Sequence, residues 1–94
     1  MKTFEIVAVY DNLTEAYLEP KFFGSLAEAQ RVFEYQINNI PLWRSNASDY
    51  DLYSIGRFDS ETGVITSECH KFCKGTSVLR RDNNDSQPAE SSEA

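Results

Sequence analysis

The sequence predicts an α+β fold: a small, mostly antiparallel sheet of about four strands, one amphipathic helix packed on one face, element order β-β-α-β-β, then a disordered acidic C-terminal tail. Three observations carry this. Phe4 to Tyr10 is a β-branched and aromatic run, Leu26 to Ile40 repeats its apolar residues at three- and four-residue steps, and two strand-like runs flank the turn chemistry of Asp59 to Gly63. Ninety-four residues hold one domain, placed at 1–81, and a tail at 82–94. A chain of this size encloses no large active site.

In the first run, Phe4, Ile6, Ala8 and Tyr10 share one face while Val7 and Val9 take the other, which suits an inner strand at the centre of the sheet. Asp11-Asn12-Leu13-Thr14 supplies side chains that bond their own backbone, so a turn follows. Glu15 to Glu19 then returns as an edge strand or extended arm, because Pro20 has no amide hydrogen to give a ladder. Ser25-Leu26-Ala27-Glu28 fits a capping box, in which the Ser oxygen takes the third helical amide and Glu reaches back to the Ser amide. The helix that starts there carries Leu26, Ala29, Phe33, Ile37 and Ile40 as its apolar stripe, with Val32 flanking, and Pro41 ends it near Asn39. Leu42 to Ser48 reads as a polar loop holding Trp43. Tyr50 to Phe58 resumes strand composition, Gly63 suits the left-handed position of a hairpin connection, and Val64 to Glu68 is the return strand. Cys69 to Arg81 has four bases and no acid, and Gly75 argues against one continuous helix through it. From Asp82 onward the composition cannot bury a core. With one helix for two apolar sheet faces, the second face is left for another copy of the chain or for the segment after Cys69.

The formal net charge is -6, which at long range repels duplex DNA and anionic membranes. Most of it sits at the end: Asp82, Asp85, Glu90 and Glu93 belong to the tail, and the chain through Arg81 has eleven acids against nine bases. No apolar run approaches a membrane span and no leader precedes the first strand, so the expectation is a soluble cytosolic protein with no membrane partner. Its two thiols then stay free, and the sequons at Asn12, Asn46 and Asn84 are without consequence.

Cys69, His70 and Cys73 form the one soft-ligand cluster, but three donors fall short of the four a structural zinc takes, so no metal and no cofactor is expected. Adjacent Cys69 and His70 on a strand point to opposite faces, which removes a nucleophile and base pair. Asp49, Asp51, Asp59 and Glu61 read as turn caps, and four isolated glycines make no phosphate cradle. The sequence is therefore read as non-enzymatic. Aromatics adjoin bases at Lys21-Phe22-Phe23, Trp43-Arg44, Arg57-Phe58 and Lys71-Phe72, the pairing single-strand binders use for stacking beside phosphates. Against that, Phe22, Phe23, Phe58 and Phe72 are wanted by the core of so small a domain. The candidate nucleic-acid contacts are Lys71, Lys74, Arg80 and Arg81, with Trp43 and Arg44 beside them. The acidic tail that follows competes with nucleic acid for this stretch.

Val9-Tyr10-Asp11, Glu15-Ala16-Tyr17, Pro20, Phe22-Phe23, Ala27-Glu28-Ala29, Arg31 and Phe33 form an ordered series, continued by Asp49-Tyr50-Asp51-Leu52-Tyr53, Ile55-Gly56, Phe58-Asp59 and Thr62-Gly63. Over about residues 4 to 66 this series resembles the small nonstructural protein of gokushovirus-type microviruses. Ala47-Ser48 departs from the His-Pro often found there, and Cys69 to Cys73 matches none of the family's signatures. The resemblance implies a protein of a small single-stranded DNA phage, made in the bacterial host cytoplasm, absent from the mature capsid and assisting genome synthesis or packaging, with no catalytic residues. The expected partners are single-stranded DNA, held weakly, and replication or procapsid proteins. The alternative is a protein-interaction module, homodimeric or an adaptor, that never touches nucleic acid.

Overall fold

The computed structural model of the chain describes residues 2–80. Arg81 and the predicted disordered tail at 82–94 lie outside the described residues. Strand β1, Thr3–Asp11, is central as predicted, bordered on one side by β4, Tyr50–Asp59, which in turn pairs with β5, Ile65–Lys74. Along its other side lie two short strands, β2 at Ala16–Tyr17 and β3 at Lys21–Phe23. All pairings are antiparallel. β2 and β3 behave as one edge strand broken at Pro20: Tyr10 faces Tyr17 and Val7 faces Lys21, so the register slips by one residue across the gap. The edge thus runs further than predicted, through Phe23.

Both hairpin turns are built alike. Asp11 Oδ1 accepts from the Leu13 amide at 2.9 Å and the Glu15 amide donates to Asp11 O at 2.8 Å, while Asp59 Oδ1 accepts from Glu61 N at 2.9 Å and Gly63 N donates to Asp59 O at 2.7 Å. Each closes on a left-handed residue, Glu15 (φ 58) in the first and Gly63 (φ 79) in the second.

Helix α1, Leu26–Asn39, starts and stops where the sequence places it. Ser25 Oγ accepts from Glu28 N at 3.2 Å, but Glu28 Oε1 accepts from the amide of Gly24, at 3.2 Å, rather than from that of Ser25. The reciprocal half of the box is therefore met one residue upstream. Ala29, Phe33 and Ile37 are buried against Val7, Tyr50 and Leu52 of the sheet, and Ala47 and Val78 close the same core. Leu42 to Ser48 is not a loop throughout: Pro41 opens a short helix, α2, at Pro41–Ser45, and a 3₁₀ turn follows at Ala47–Asp49. Pro41 fits the first helical position because its missing N–H has no intrahelical acceptor there.

β5 continues six residues beyond the predicted return strand, and Gly75 begins a single helical turn, α3, at Gly75–Val78. The segment after Cys69 therefore joins the sheet instead of covering its second face. Bulges make the extension work. Leu52 faces Cys73 while Tyr53 faces Lys71, so the extra residue Phe72 lets both Phe72 and Cys73 reach the core under α1. No helix among the described residues is long and apolar enough to cross a membrane.

Candidate nucleic-acid interface

The strand alternation that buries Val7 and Leu52 under the helix sends Phe4, Ile6, Ala8 and Tyr10 of β1 to the other side of the sheet. Tyr53 lies opposite Ala8, Phe58 opposite Phe4, Tyr17 opposite Tyr10 and Phe22 opposite Ile6, so four strand segments send aromatic side chains to that side. Ile6 and Ala8 are buried beneath the rings, whereas Tyr17 and Phe22 are about half exposed, at 48% and 52%. Among the described residues no helix packs there.

The face has two halves. Tyr10, Tyr17 and Tyr53 meet edge to face, with centroids 4.8, 5.8 and 5.3 Å apart, and Tyr17 Oη lies 3.4 Å from Cys69 Sγ. That contact is the main cause that pushes the Tyr17 hydroxyl up to about 12. The other half is without hydroxyls: Phe58 stacks near Phe4 at 6.3 Å and meets Phe22 edge to face at 5.9 Å, with exposed Ile65 opposite Phe58. Phe22 and Phe58, expected in the core, belong to this open side, while Phe23 and Phe72 pack on the core. Adjacent Phe22 and Phe23 are parted because successive strand residues point to opposite faces.

The predicted contact residues fall into two places. Lys71 sits opposite Tyr53 with its Nζ 3.5 Å from Asp51 Oδ2, and exposed Lys74 sits opposite Asp51, so both adjoin the tyrosine half. Arg80 lies on the helix side, its Nη2 2.9 Å from Glu34 Oε2 and its backbone amide bonded to Asn38 Oδ1 at 2.7 Å. Arg44 Nη1 donates to that same Asn38 oxygen at 3.1 Å. Trp43 stacks on Tyr50 with centroids 4.5 Å apart and packs against the core, an anchor for α2 rather than an exposed platform. Arg81 lies outside the described residues. Lys71 and Lys74 are thus brought together, and Arg44 and Arg80 form a second group about Asn38.

Sequence reading missed the three tyrosines. The alternation in β1 exposes Tyr10, but placing Tyr17 and Tyr53 beside it requires the register, which no spacing prints. Among the described residues no three His, Cys, Asp or Glu side chains converge as metal ligands would. Cys69 faces Tyr17, and Cys73 packs on the core beside Ser77.

A family model described as Phage ORF5 protein matches residues 4–78, spanning every element from β1 to α3. The chain belongs to this family. No curated protein and no solved structure matches it. Membership in the Phage ORF5 family makes it a phage protein, and the match runs through the stretch Cys69 to Cys73 that the motif series left aside.

Proposed function

We propose that this Phage ORF5 protein is a non-enzymatic accessory factor of a small single-stranded DNA phage of the gokushovirus-type microvirus kind. It works in the host cytoplasm during genome synthesis or packaging and holds single-stranded DNA weakly. The observation that carries this reading is the aromatic sheet face that no helix covers among the described residues, whose tyrosine half runs into Lys71 and Lys74. Unpaired bases stack on such rings at about 1–3 kcal/mol per base, whatever their identity, and nearby cations follow the phosphates. Duplex DNA hides its base faces and gains only the cation term, against a net charge of -6.

Fluorescence anisotropy with a labelled oligothymidylate tests it. Binding is expected at about 50 mM salt and weakens several-fold by about 200 mM, with a duplex of the same length binding more weakly. Absence of binding to the single strand at low salt refutes the reading.

One observation favours a second use of the same sheet. The half formed by Phe4, Phe22, Phe58 and Ile65 offers apolar area, with Phe22 52% exposed and Ile65 58% exposed. A second copy or a replication or procapsid protein would seat there. Light scattering at micromolar concentration that returns one monomer mass removes the homodimer.

A further inference from the structure

Where the tyrosine half of the open face meets the first turn, Asn12, Ser48, Asp51, Lys71, Lys74 and Thr76 line a cleft of about 310 Å³. The cleft is open to solvent and has room for a phosphate with its sugar. Its chemistry differs from that of the ring face beside it. Two ammonium groups and two hydroxyls supply donors, and one carboxylate opposes them. The Asn12 side-chain nitrogen is fully engaged: Nδ2 donates to Asp49 O and to Asp51 Oδ2, each at 3.0 Å, which ties the turn to β4. Asp51 is 7% exposed and holds Lys71 at 3.5 Å. Strand pairing sets Tyr53 beside Lys71 and Tyr10 beside Asp51, so a base on the rings carries its phosphate toward this cleft.

We infer that this cleft is a phosphate seat, in which Lys71, Lys74, Ser48 and Thr76 hold a backbone phosphate of single-stranded DNA whose base lies on the tyrosines. Asp51 is the built-in opponent: it fixes the position of Lys71 and cancels one of the two positive charges, which keeps the contact weak and releasable. The inference rests on the single-strand reading above but adds a site and a sign that the stacking face does not require.

The test uses the full chain and the labelled oligothymidylate, with folding of each variant checked by circular dichroism. The double variant Lys71→Gln/Lys74→Gln reduces the slope of log affinity against log salt by about 0.7, one phosphate neutralised on a single strand, and each single variant reduces it by part of that. Tyr53→Ala weakens binding at every salt concentration and leaves the slope alone. Asp51→Asn keeps an oxygen for Asn12 and tightens binding about threefold, the effect of deleting one negative charge beside the seated phosphate. Inorganic phosphate at matched ionic strength displaces the oligonucleotide no better than chloride, since it brings no base; specific displacement overturns the composite seat in favour of a free-anion site. An unchanged slope in the double lysine variant, with Tyr53→Ala still weakening binding, overturns the seat and leaves the stacking reading standing. A wild-type chain that binds no oligonucleotide at low salt overturns both.

Discussion

At the level of single residues the fold depends on close approaches that admit no side chain. A Cβ on Gly75 would lie 2.2 Å from Ala47 O and 2.5 Å from Tyr50 O, both backbone atoms, with Ile37 Cδ1 at 3.1 Å. Neither carbonyl can step aside without moving the 3₁₀ turn or β4. Gly75→Ala should therefore destabilise the protein by about 3 kcal/mol, the upper range for overpacking, read as a lower midpoint in denaturant from the fluorescence of Trp43. A variant within about 0.5 kcal/mol of the parent would show that α3 does not dock as described. Tyr17 makes a second prediction, in pH. Its bond to the Cys69 sulfur pushes its pKa from 10.0 to about 12, with partial loss of water and the neighbouring Cys69, Tyr53 and Tyr10 adding smaller effects in the same direction. A phenol whose folded pKa is raised favours the folded state fully below pH 10, and that contribution is lost as pH rises through about 12. Burial first, then Asp11 and Asp49, raise Tyr50 as well. Tyrosinate absorbance should thus show a late-titrating component, part of which moves earlier in Cys69→Ala; an unchanged titration would sever the Tyr17 to Cys69 contact.

Elements differ in how firmly local chemistry fixes them, and α1 is the firmest. Its stripe of Ala29, Phe33 and Ile37 supplies the packing and Ser25 supplies the cap, so the two contributions separate by mutation. Phe33→Ala, which empties a position only 1% exposed, should cost about 3–5 kcal/mol, whereas Ser25→Ala should cost about 1 kcal/mol. Equal losses in thermal or denaturant melts would mean that the helix is held by its cap as much as by the core. The same contrast explains what was legible in the sequence. Leu26 to Asn39 announces itself because periodicity and caps are local, and β1 does so because both of its faces are apolar. β5 was cut short at Glu68 because Cys69 to Lys74 mixes polar and apolar residues without period, and the bulge at Phe72 that repairs the pattern exists only against β4. β3 was missed because Pro20 reads as an ending, although the chain rejoins the same edge one residue out of register. The pairing of Lys71 with Asp51, and of Arg80 with Glu34, is likewise set by register and helix placement, and basic composition alone could not separate those cations from one another.

At the scale of the whole domain the governing fact is a two-layer arrangement in which, among the described residues, one face of the sheet carries no layer. Covering is the usual fate of an apolar sheet face, and the rings of Phe4, Tyr10, Tyr17, Phe22, Tyr53 and Phe58 instead shield Ile6 and Ala8 while remaining partly accessible themselves. A surface of that kind gives contact area without much charge, so long-range electrostatics decides how often an anionic strand arrives and short-range stacking decides how long it stays. Asp82, Asp85, Glu90 and Glu93 supply four of the six units of net negative charge, a property of the sequence that holds wherever those residues lie. Replacing all four by Asn or Gln takes the chain from -6 to -2. If the open face meets single-stranded DNA, this variant should bind oligothymidylate several-fold more tightly at about 50 mM salt, chiefly through faster association, and the advantage should vanish near 1 M, where the screening length falls to about 3 Å. An advantage that persists undiminished at high salt would mean that the tail blocks the surface directly rather than acting through the field. No gain at any salt would mean that repulsion by the tail is not what keeps the contact weak, and would shift the cause to Asp51 inside the cleft, whose Asn variant then becomes the larger of the two effects.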